Sequence, residues 1–192
     1  MASMELVQQG PSRRDVIVLG AGLVTGFLTP LAQSLVDQLD LLRNLGGVSM
    51  TLGGIPFAVL VVMLARGVVR AEWWRALLWG LATVIGFEVA IMAAAEISMA
   101  SRGTEGALLN VVAGLAGGLI GSAVMAAAAL SLSIGPRQPE RWLAVVGVGT
   151  IVGVLLAVDI HRRSDNLWVL FPVWQSLVAL MLARALGASR TG

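Results

Sequence analysis

Two carboxylates within a long apolar run are the groups of this chain best placed to do chemistry. Glu88 lies inside the apolar run at residues 76–98, and Glu96 follows eight residues later in the same run. An ionised carboxylate at mid-bilayer depth costs about 2.5–3.5 kcal/mol, so it normally faces a partner, a cavity or water. Two interpretations stay open: a protonated carboxyl that hydrogen-bonds a neighbouring helix, and a site for a ligand, a proton or a cation.

A few other polar side chains also fall deep inside apolar runs. Thr25, Gln33 and Asn110 are the ones that we expect, together with Glu88, to bind the polar group of a ligand, such as a hydroxyl or an ester. They are chosen because polar groups at this depth are rare and need partners. Glu88, Thr25, Gln33 and Asn110 are therefore the predicted ligand-binding residues.

The chain offers little for catalysis or metal binding. It has no Cys and a single His, which excludes thiol chemistry, disulfides and thiolate metal ligands. His161 lies beside Asp159 and Arg162 at the end of an apolar run, where an interfacial contact is expected. Neither a Gly-x-Ser-x-Gly nor a His-Glu-x-x-His motif is present. We predict a protein that is not an enzyme, with no metal and no cofactor.

Composition gives the class of protein. Of the 192 residues, 57% are hydrophobic and 12% charged, with a mean hydropathy of +0.87. A soluble domain needs more surface charge, so we predict an integral membrane protein. The thirteen basic residues are all Arg and lie scattered at the ends of apolar runs, with a net charge of +2. They form no contiguous basic face, which argues against a nucleic-acid partner.

Six apolar runs are long enough to cross about 30 Å of hydrocarbon. The expected fold is all-α, with one six-helix transmembrane domain over residues 1–192. The connecting stretches are short and carry most of the charge, so no soluble domain fits between the runs. The predicted spans are residues 16–36, 45–69, 76–98, 107–134, 142–160 and 167–186.

Arginine distribution predicts the orientation of these spans. With six crossings, nine of the thirteen Arg residues fall on the side that holds both termini and four on the other. Cytoplasmic loops retain basic residues during insertion. Both termini are therefore expected in the cytoplasm, and a bacterial plasma membrane is the expected location.

Glycines recur four residues apart in three of the predicted spans. Gly20-x-Gly22-x-x-x-Gly26 superficially imitates a dinucleotide-binding turn, but its flanks form one uninterrupted apolar span instead of a strand and an amphipathic helix. The fifth span repeats the spacing at Gly147, Gly149 and Gly153. In membranes, small residues at this spacing let helix backbones approach closely.

The fourth span is the richest in glycine, with Gly114, Gly117, Gly118 and Gly121. Two uses of such a smooth face stay open: close packing against other helices, or one wall of a slot for a flat lipid or sterol. At about 28 residues this span is long, so we expect it to tilt or to break near Gly117 and Gly118. The glycine faces also suggest a homo-oligomer.

Tryptophans lie near the ends of the predicted spans, where amphipathic indoles favour the headgroup region. We predict them to be interfacial anchors. They are Trp73, Trp74, Trp142, Trp168 and Trp174.

The order of several short segments resembles the insulin-induced gene (Insig) family of small six-helix membrane proteins. Glu72-Trp73, before the third span, is similar to an acid-Trp pair of that family, and Gly86-Phe87-Glu88 falls where the family has a Gly, an apolar residue and a polar amide. The segment at residues 133–141 replaces the family's cytosolic loop between the fourth and fifth spans. Residues 165–169, with Pro172 soon after, are similar to the start of its last helix.

This resemblance implies a non-enzymatic lipid sensor whose helices enclose a cavity for a sterol or another neutral, diacylglycerol-like lipid. Members in animals retain a sterol-sensing escort protein in the endoplasmic reticulum. The Asp that the family uses to engage that partner is replaced here by Ser133, Ile134 or Gly135, so binding of an escort protein is not expected. Two other functions stay open: a small transporter or channel that uses Glu88 for a proton or cation, and an accessory subunit of a membrane complex.

Overall fold

The described part of the chain is all-helical. The computed structural model describes residues 12–38, 48–100, 106–162 and 167–187, with side chains at 12–35, 52–100, 106–162 and 167–187. No strand occurs in these ranges. The helices are α1 Arg13–Gln38, α2 Val48–Val68, α3 Trp73–Met99, α4 Gly106–Ser131, α5 Pro139–Gly153, α6 Leu155–His161 and α7 Leu170–Gly187.

Five of the helical stretches are long and apolar enough to cross a membrane. They are Arg13–Leu35, Trp73–Met99, Gly106–Ser131, Pro139–His161 and Leu170–Gly187, and Leu52–Val68 of α2 is a sixth, shorter apolar helix. Many large apolar side chains on their outer faces are exposed, as expected for helices that face acyl chains. The prediction of an all-α membrane protein is confirmed at this level.

The bundle is built around α7. In this helix 67% of the residues are buried, against 28–39% in an apolar stretch of 18 residues in each of the other four long spans. It packs against α1, α2 and α5, while α3 and α4 pack against each other and α4 also packs against α5. The main core cluster joins side chains of α7, such as Val178 and Leu182, to Val61 of α2 and Trp79 of α3.

The helix ends depend on local turns and prolines more than on where the apolar runs end. Helix α4 stops at Ser131, three residues before the predicted end, because the next residues form a Schellman turn. In this turn the Ser133 amide donates to the Leu130 carbonyl and the Ile134 amide to the Ala129 carbonyl. Pro139 begins α5, where a missing amide hydrogen costs nothing.

The fourth span has no break, whereas the fifth has one. We expected the fourth span to tilt or to break near Gly117 and Gly118. Helix α4 is continuous from Gly106 to Ser131, so the break is wrong, and the tilt stays a prediction. The fifth span divides instead at Val154, whose amide donates to the Ile151 carbonyl in a tighter turn. The short helix α6 continues the same apolar stretch to His161.

Candidate functional site

An apolar cavity lies inside the bundle, bounded by α2, α3, α4, α7 and the junction of α5 with α6. Its volume, counted as the space open to the centres of water-sized spheres, is about 80 Å³. Such a space exceeds what one water molecule requires. Carbon atoms form nearly all of its surface, so it suits an apolar guest.

Four aromatic side chains form one side of the cavity: Phe57, Phe87, Phe171 and Trp174. The ring centroids of Phe57 and Trp174 are 5.6 Å apart in an edge-on arrangement, and those of Phe87 and Phe171 are 5.4 Å apart. Contacts of this kind fix ring orientation and add to the energy of burial. Helices α2, α3 and α7 therefore share one preorganised aromatic wall.

Helix α4 supplies the glycine wall of the same cavity through Gly114, Gly117, Gly118 and Gly121. The first and third of these also touch α5. A Cβ atom at Gly118 would lie 2.3 Å from the Gly149 carbonyl oxygen, and one at Gly114 would lie 2.1 Å from the Gly153 carbonyl oxygen. The backbones of α4 and α5 are thus in direct contact, as the glycine spacing predicts.

The other two glycines of this wall face α3. A Cβ atom at Gly117 would lie 3.2 Å from the Ala90 carbonyl oxygen, whereas one at Gly121 would meet the Ala90 Cβ at 3.4 Å, an ordinary contact. The glycine face of α4 therefore packs closely against α5 and α3, and the same four glycines also line the cavity. Close packing is confirmed, and a slot for a lipid stays a prediction.

Polar groups are scarce around the cavity. Among the residues that line it, Thr83 is the one with a polar aliphatic side chain, and its hydroxyl donates to the Trp79 carbonyl at 2.9 Å. The Trp174 indole nitrogen donates to the Gly149 carbonyl oxygen at 2.9 Å. Both donors are satisfied within the protein, so the cavity presents no charge to a guest.

The four predicted ligand-binding residues lie on three helices. Glu88 is half-buried on α3, next to Phe87, and has an interaction partner within the protein. It is not among the residues that line the apolar cavity. Thr25 and Gln33 lie on α1, and Asn110 lies on α4.

The local contacts of the three uncharged candidates differ. The Thr25 hydroxyl donates to the Gly22 carbonyl at 3.0 Å. Gln33 is half-buried against α2, with its amide nitrogen 2.7 Å from where a Cβ of Gly53 would lie. Asn110 lines a separate cleft between α4 and α6, which also includes His161 and Arg162.

Sequence inspection missed a buried polar network that joins α1, α2 and α7. Gln175 and Thr29 are both fully buried. The Gln175 side-chain amide donates to the Thr29 hydroxyl at 2.8 Å, and that hydroxyl donates to the Gly53 carbonyl at 2.9 Å. Gln175 is a polar residue deep in an apolar span, so the criterion that selected Gln33 applies to it equally. Its partner lies 146 positions away.

Asp159 has a structural role that its position did not reveal. Its carboxylate is fully buried and accepts hydrogen bonds from the Leu170 amide at 2.7 Å and the Val169 amide at 3.1 Å. These amides lie at the start of α7, where a negative charge is favourable. The neighbouring His161 is exposed.

Two of the five predicted interfacial tryptophans are core residues. Trp73, Trp74 and Trp168 are exposed, as an anchor requires, but Trp142 and Trp174 are only 2% and 9% exposed. Their indole nitrogens donate to the carbonyls of Pro136 and Gly149. The anchor prediction is therefore wrong for Trp142 and Trp174. The position of a residue along a span indicates its depth in the membrane, but not whether it lies on the lipid-facing or the buried face of the helix.

Comparison with known proteins gives no relative: no family model, curated protein or solved structure matches this chain. In the described residues no group of three or more His, Cys, Asp or Glu side chains is placed to hold a metal ion. The geometry of the apolar cavity is thus the main guide to function.

Proposed function

We propose that this chain is an integral membrane protein that binds a neutral lipid in the cavity between its aromatic wall and the glycine wall of α4. One observation carries the proposal: four aromatic rings and four glycines of α4 line the same uncharged space. Rings and exposed backbone offer flat surfaces, which suit a flat or extended hydrocarbon guest. A sterol or a diacylglycerol-like lipid has this chemistry, and its binding requires no enzymatic step. A cavity of about 80 Å³ holds only a small apolar part of such a lipid, so the rest of the molecule would extend beyond it.

The proposal extends to the Insig-like character of the chain. Phe87, from the segment that resembles the family, lines the cavity. Glu72 and Trp73 lie at the start of α3, and Trp168 lies just before α7. These positions are compatible with a lipid sensor of that type, in which ligand binding changes how the helices pack.

We also propose six crossings of a bacterial plasma membrane, with both termini in the cytoplasm. The short helix Leu52–Val68 supplies the second crossing, and α5 and α6 together supply the fifth. The support is the excess of Arg at the ends of α2, α4 and α7. A homo-oligomer stays a prediction. Most of the glycines that suggested it contact other helices of the same chain, whereas Gly20 and Gly147 have open space.

The lipid proposal is tested by identifying what the purified protein retains. Mass spectrometry of lipids extracted from it is expected to show a neutral lipid near one per chain. Gly121→Ala adds a methyl group inside the cavity at ordinary contact distance, so it should fold and retain less lipid. Gly147→Ala adds the same group in open space and should retain as much as wild type.

Flux measurements separate the other two functions from the lipid proposal. Proteoliposomes with wild type or Glu88→Gln are assayed for proton, cation and solute flux. Flux that depends on Glu88 would favour the transporter and contradict the proposal. Equal lipid retention by Gly121→Ala and Gly147→Ala would remove the cavity as the binding site. A protein with neither retained lipid nor flux would favour an accessory subunit.

A further inference from the structure

A second cavity lies at the end of the bundle where α2 turns into α3 and α4 turns toward α5. We name it the turn cleft. It is lined by residues 68–72, Arg75 and residues 133–135, and its volume is about 740 Å³. Its surface is mostly polar, in contrast to the apolar cavity. It therefore suits a different class of ligand.

Two side chains of the turn cleft are held on strained backbone. Arg70 has a φ of 55° and Ser133 a φ of 54°, a left-handed conformation that glycine adopts freely and other residues adopt at a cost. Each follows the end of a helix, at a position where glycine is favoured. The cleft thus has a guanidinium group and a hydroxyl at two positions where glycine would cost less.

The cations of the turn cleft are not fully neutralised. The Glu72 carboxylate accepts a hydrogen bond from the Trp74 indole at 2.6 Å and lies 3.3 Å from Arg75 Nε. That nitrogen is buried and lacks an aligned hydrogen-bond acceptor. Among the described residues no carboxylate pairs with exposed Arg70. The cleft lining thus holds one carboxylate and two guanidinium groups, which gives it a net positive charge.

The surroundings of the turn cleft indicate the depth at which its ligand would lie. Trp73 and Trp74, at the start of α3, are 58% and 53% exposed, and exposed indoles at helix ends favour the headgroup region. Arg66 lies over the Trp73 ring at 4.5 Å and donates to the Ala71 carbonyl. These contacts hold the α2–α3 turn in place at that level.

We propose that the turn cleft binds the phosphate of an anionic phospholipid. Guanidinium groups recognise phosphate through paired, charge-assisted hydrogen bonds, and basic groups at this depth attract anionic headgroups. Arg70 and Arg75 supply the charge, and Ser133 supplies a hydroxyl from the opposite turn. The half-buried apolar side chain of Val69 contacts the glycerol and upper acyl region. This site is separate from the apolar cavity and does not depend on its ligand.

The test uses the full chain in detergent micelles, with short-chain phosphatidylglycerol as the probe and native mass spectrometry as the readout. Arg70→Gly is expected to weaken binding about fivefold, the effect of removing one arginine near an anionic surface. Because it also relieves the left-handed strain, it should not lower the melting temperature. Ser133→Gly should also weaken binding, by a smaller factor, and should not lower the melting temperature.

Matched controls distinguish a site from general surface charge. Arg137→Gly removes an exposed arginine from the α4–α5 connection outside the cleft lining and should leave binding unchanged. Equal losses for Arg70→Gly and Arg137→Gly would overturn the proposal. Equal affinity for phosphatidylcholine and phosphatidylglycerol would also overturn it. Glycerol 3-phosphate binding as tightly as the lipid would overturn the phospholipid assignment in favour of a soluble phosphate. Retained lipid in the apolar cavity is measured in parallel and should not change.

Discussion

At the scale of single residues, buried hydrogen bonds between helices decide what each polar group does. The sequence reveals which polar side chains lie in apolar runs, because their types and positions are visible. It does not reveal their partners. Thr29 meets Gln175 across 146 positions, and Asp159 meets the amides of another helix. Such pairs depend on which helices become neighbours, which a local pattern does not encode.

Asp159 provides the first test at this scale. Asp159→Asn removes the negative charge and one of the two acceptor oxygens at the start of α7. We expect a loss of about 2 kcal/mol in the free energy of unfolding, because buried amides lose a charged acceptor. Denaturant unfolding in micelles measures this. Glu96→Gln is the control, since Glu96 is exposed, and equal effects of the two variants would contradict the capping role.

Trp174 provides the second test. Trp174→Phe keeps an aromatic ring against Phe57 but removes the hydrogen bond from the indole to the Gly149 carbonyl. Losing one buried hydrogen bond should destabilise the protein by about 1 kcal/mol. Trp168→Phe, at an exposed position, should change stability little. If Trp168→Phe proved the more damaging substitution, Trp174 would behave as an anchor and not as a core residue.

At the scale of helices, hydropathy predicts which residues form helices. In an apolar medium the backbone N–H and C=O groups of a spanning segment must hydrogen-bond within that segment, so a long apolar run forms a helix. The predicted bounds of the third span, 76–98, differ from α3 by at most three residues. The division of the fifth span at Val154 was not predicted, since its sequence is apolar throughout. The glycine spacing predicted a close helix contact at Gly153, but not that its partner would be Gly114 of α4.

The contact between α4 and α5 gives a test at this scale. Gly118→Ala would place a methyl group 2.3 Å from the Gly149 carbonyl oxygen, so the helices must separate. We expect a loss of about 2 kcal/mol or more in the free energy of unfolding. Gly147→Ala, on α5 but in open space, should be neutral or slightly stabilising. Similar stabilities for both variants would show that α4 and α5 do not touch as described.

At the scale of the whole molecule, the glycine pattern predicts close packing but not the shape of the space that remains. Gly114 and Gly118 hold α5 close to α4, Gly117 and Gly121 lie close to Ala90 of α3, and all four also line the cavity. Its aromatic wall comes from three helices that are distant in sequence. The candidate polar residues, chosen by depth alone, therefore lay apart from it, whereas the fourth-span glycines were correctly singled out.

The membrane topology can be tested by cysteine labelling, because the sequence contains no Cys of its own. Single cysteines replace exposed residues at the two ends of the bundle, and a membrane-impermeant maleimide is applied to intact cells. Six crossings with cytoplasmic termini require that cysteines at Ser12, Arg70 and Arg137 are labelled only after the cells are opened. Cysteines at Ala100 and Arg162 should be labelled in intact cells. Because Ser12 and Arg70 flank α1 and α2, finding them on opposite sides would mean that one of these two helices does not cross. Reversal of all five would instead contradict the orientation that the arginine distribution predicts.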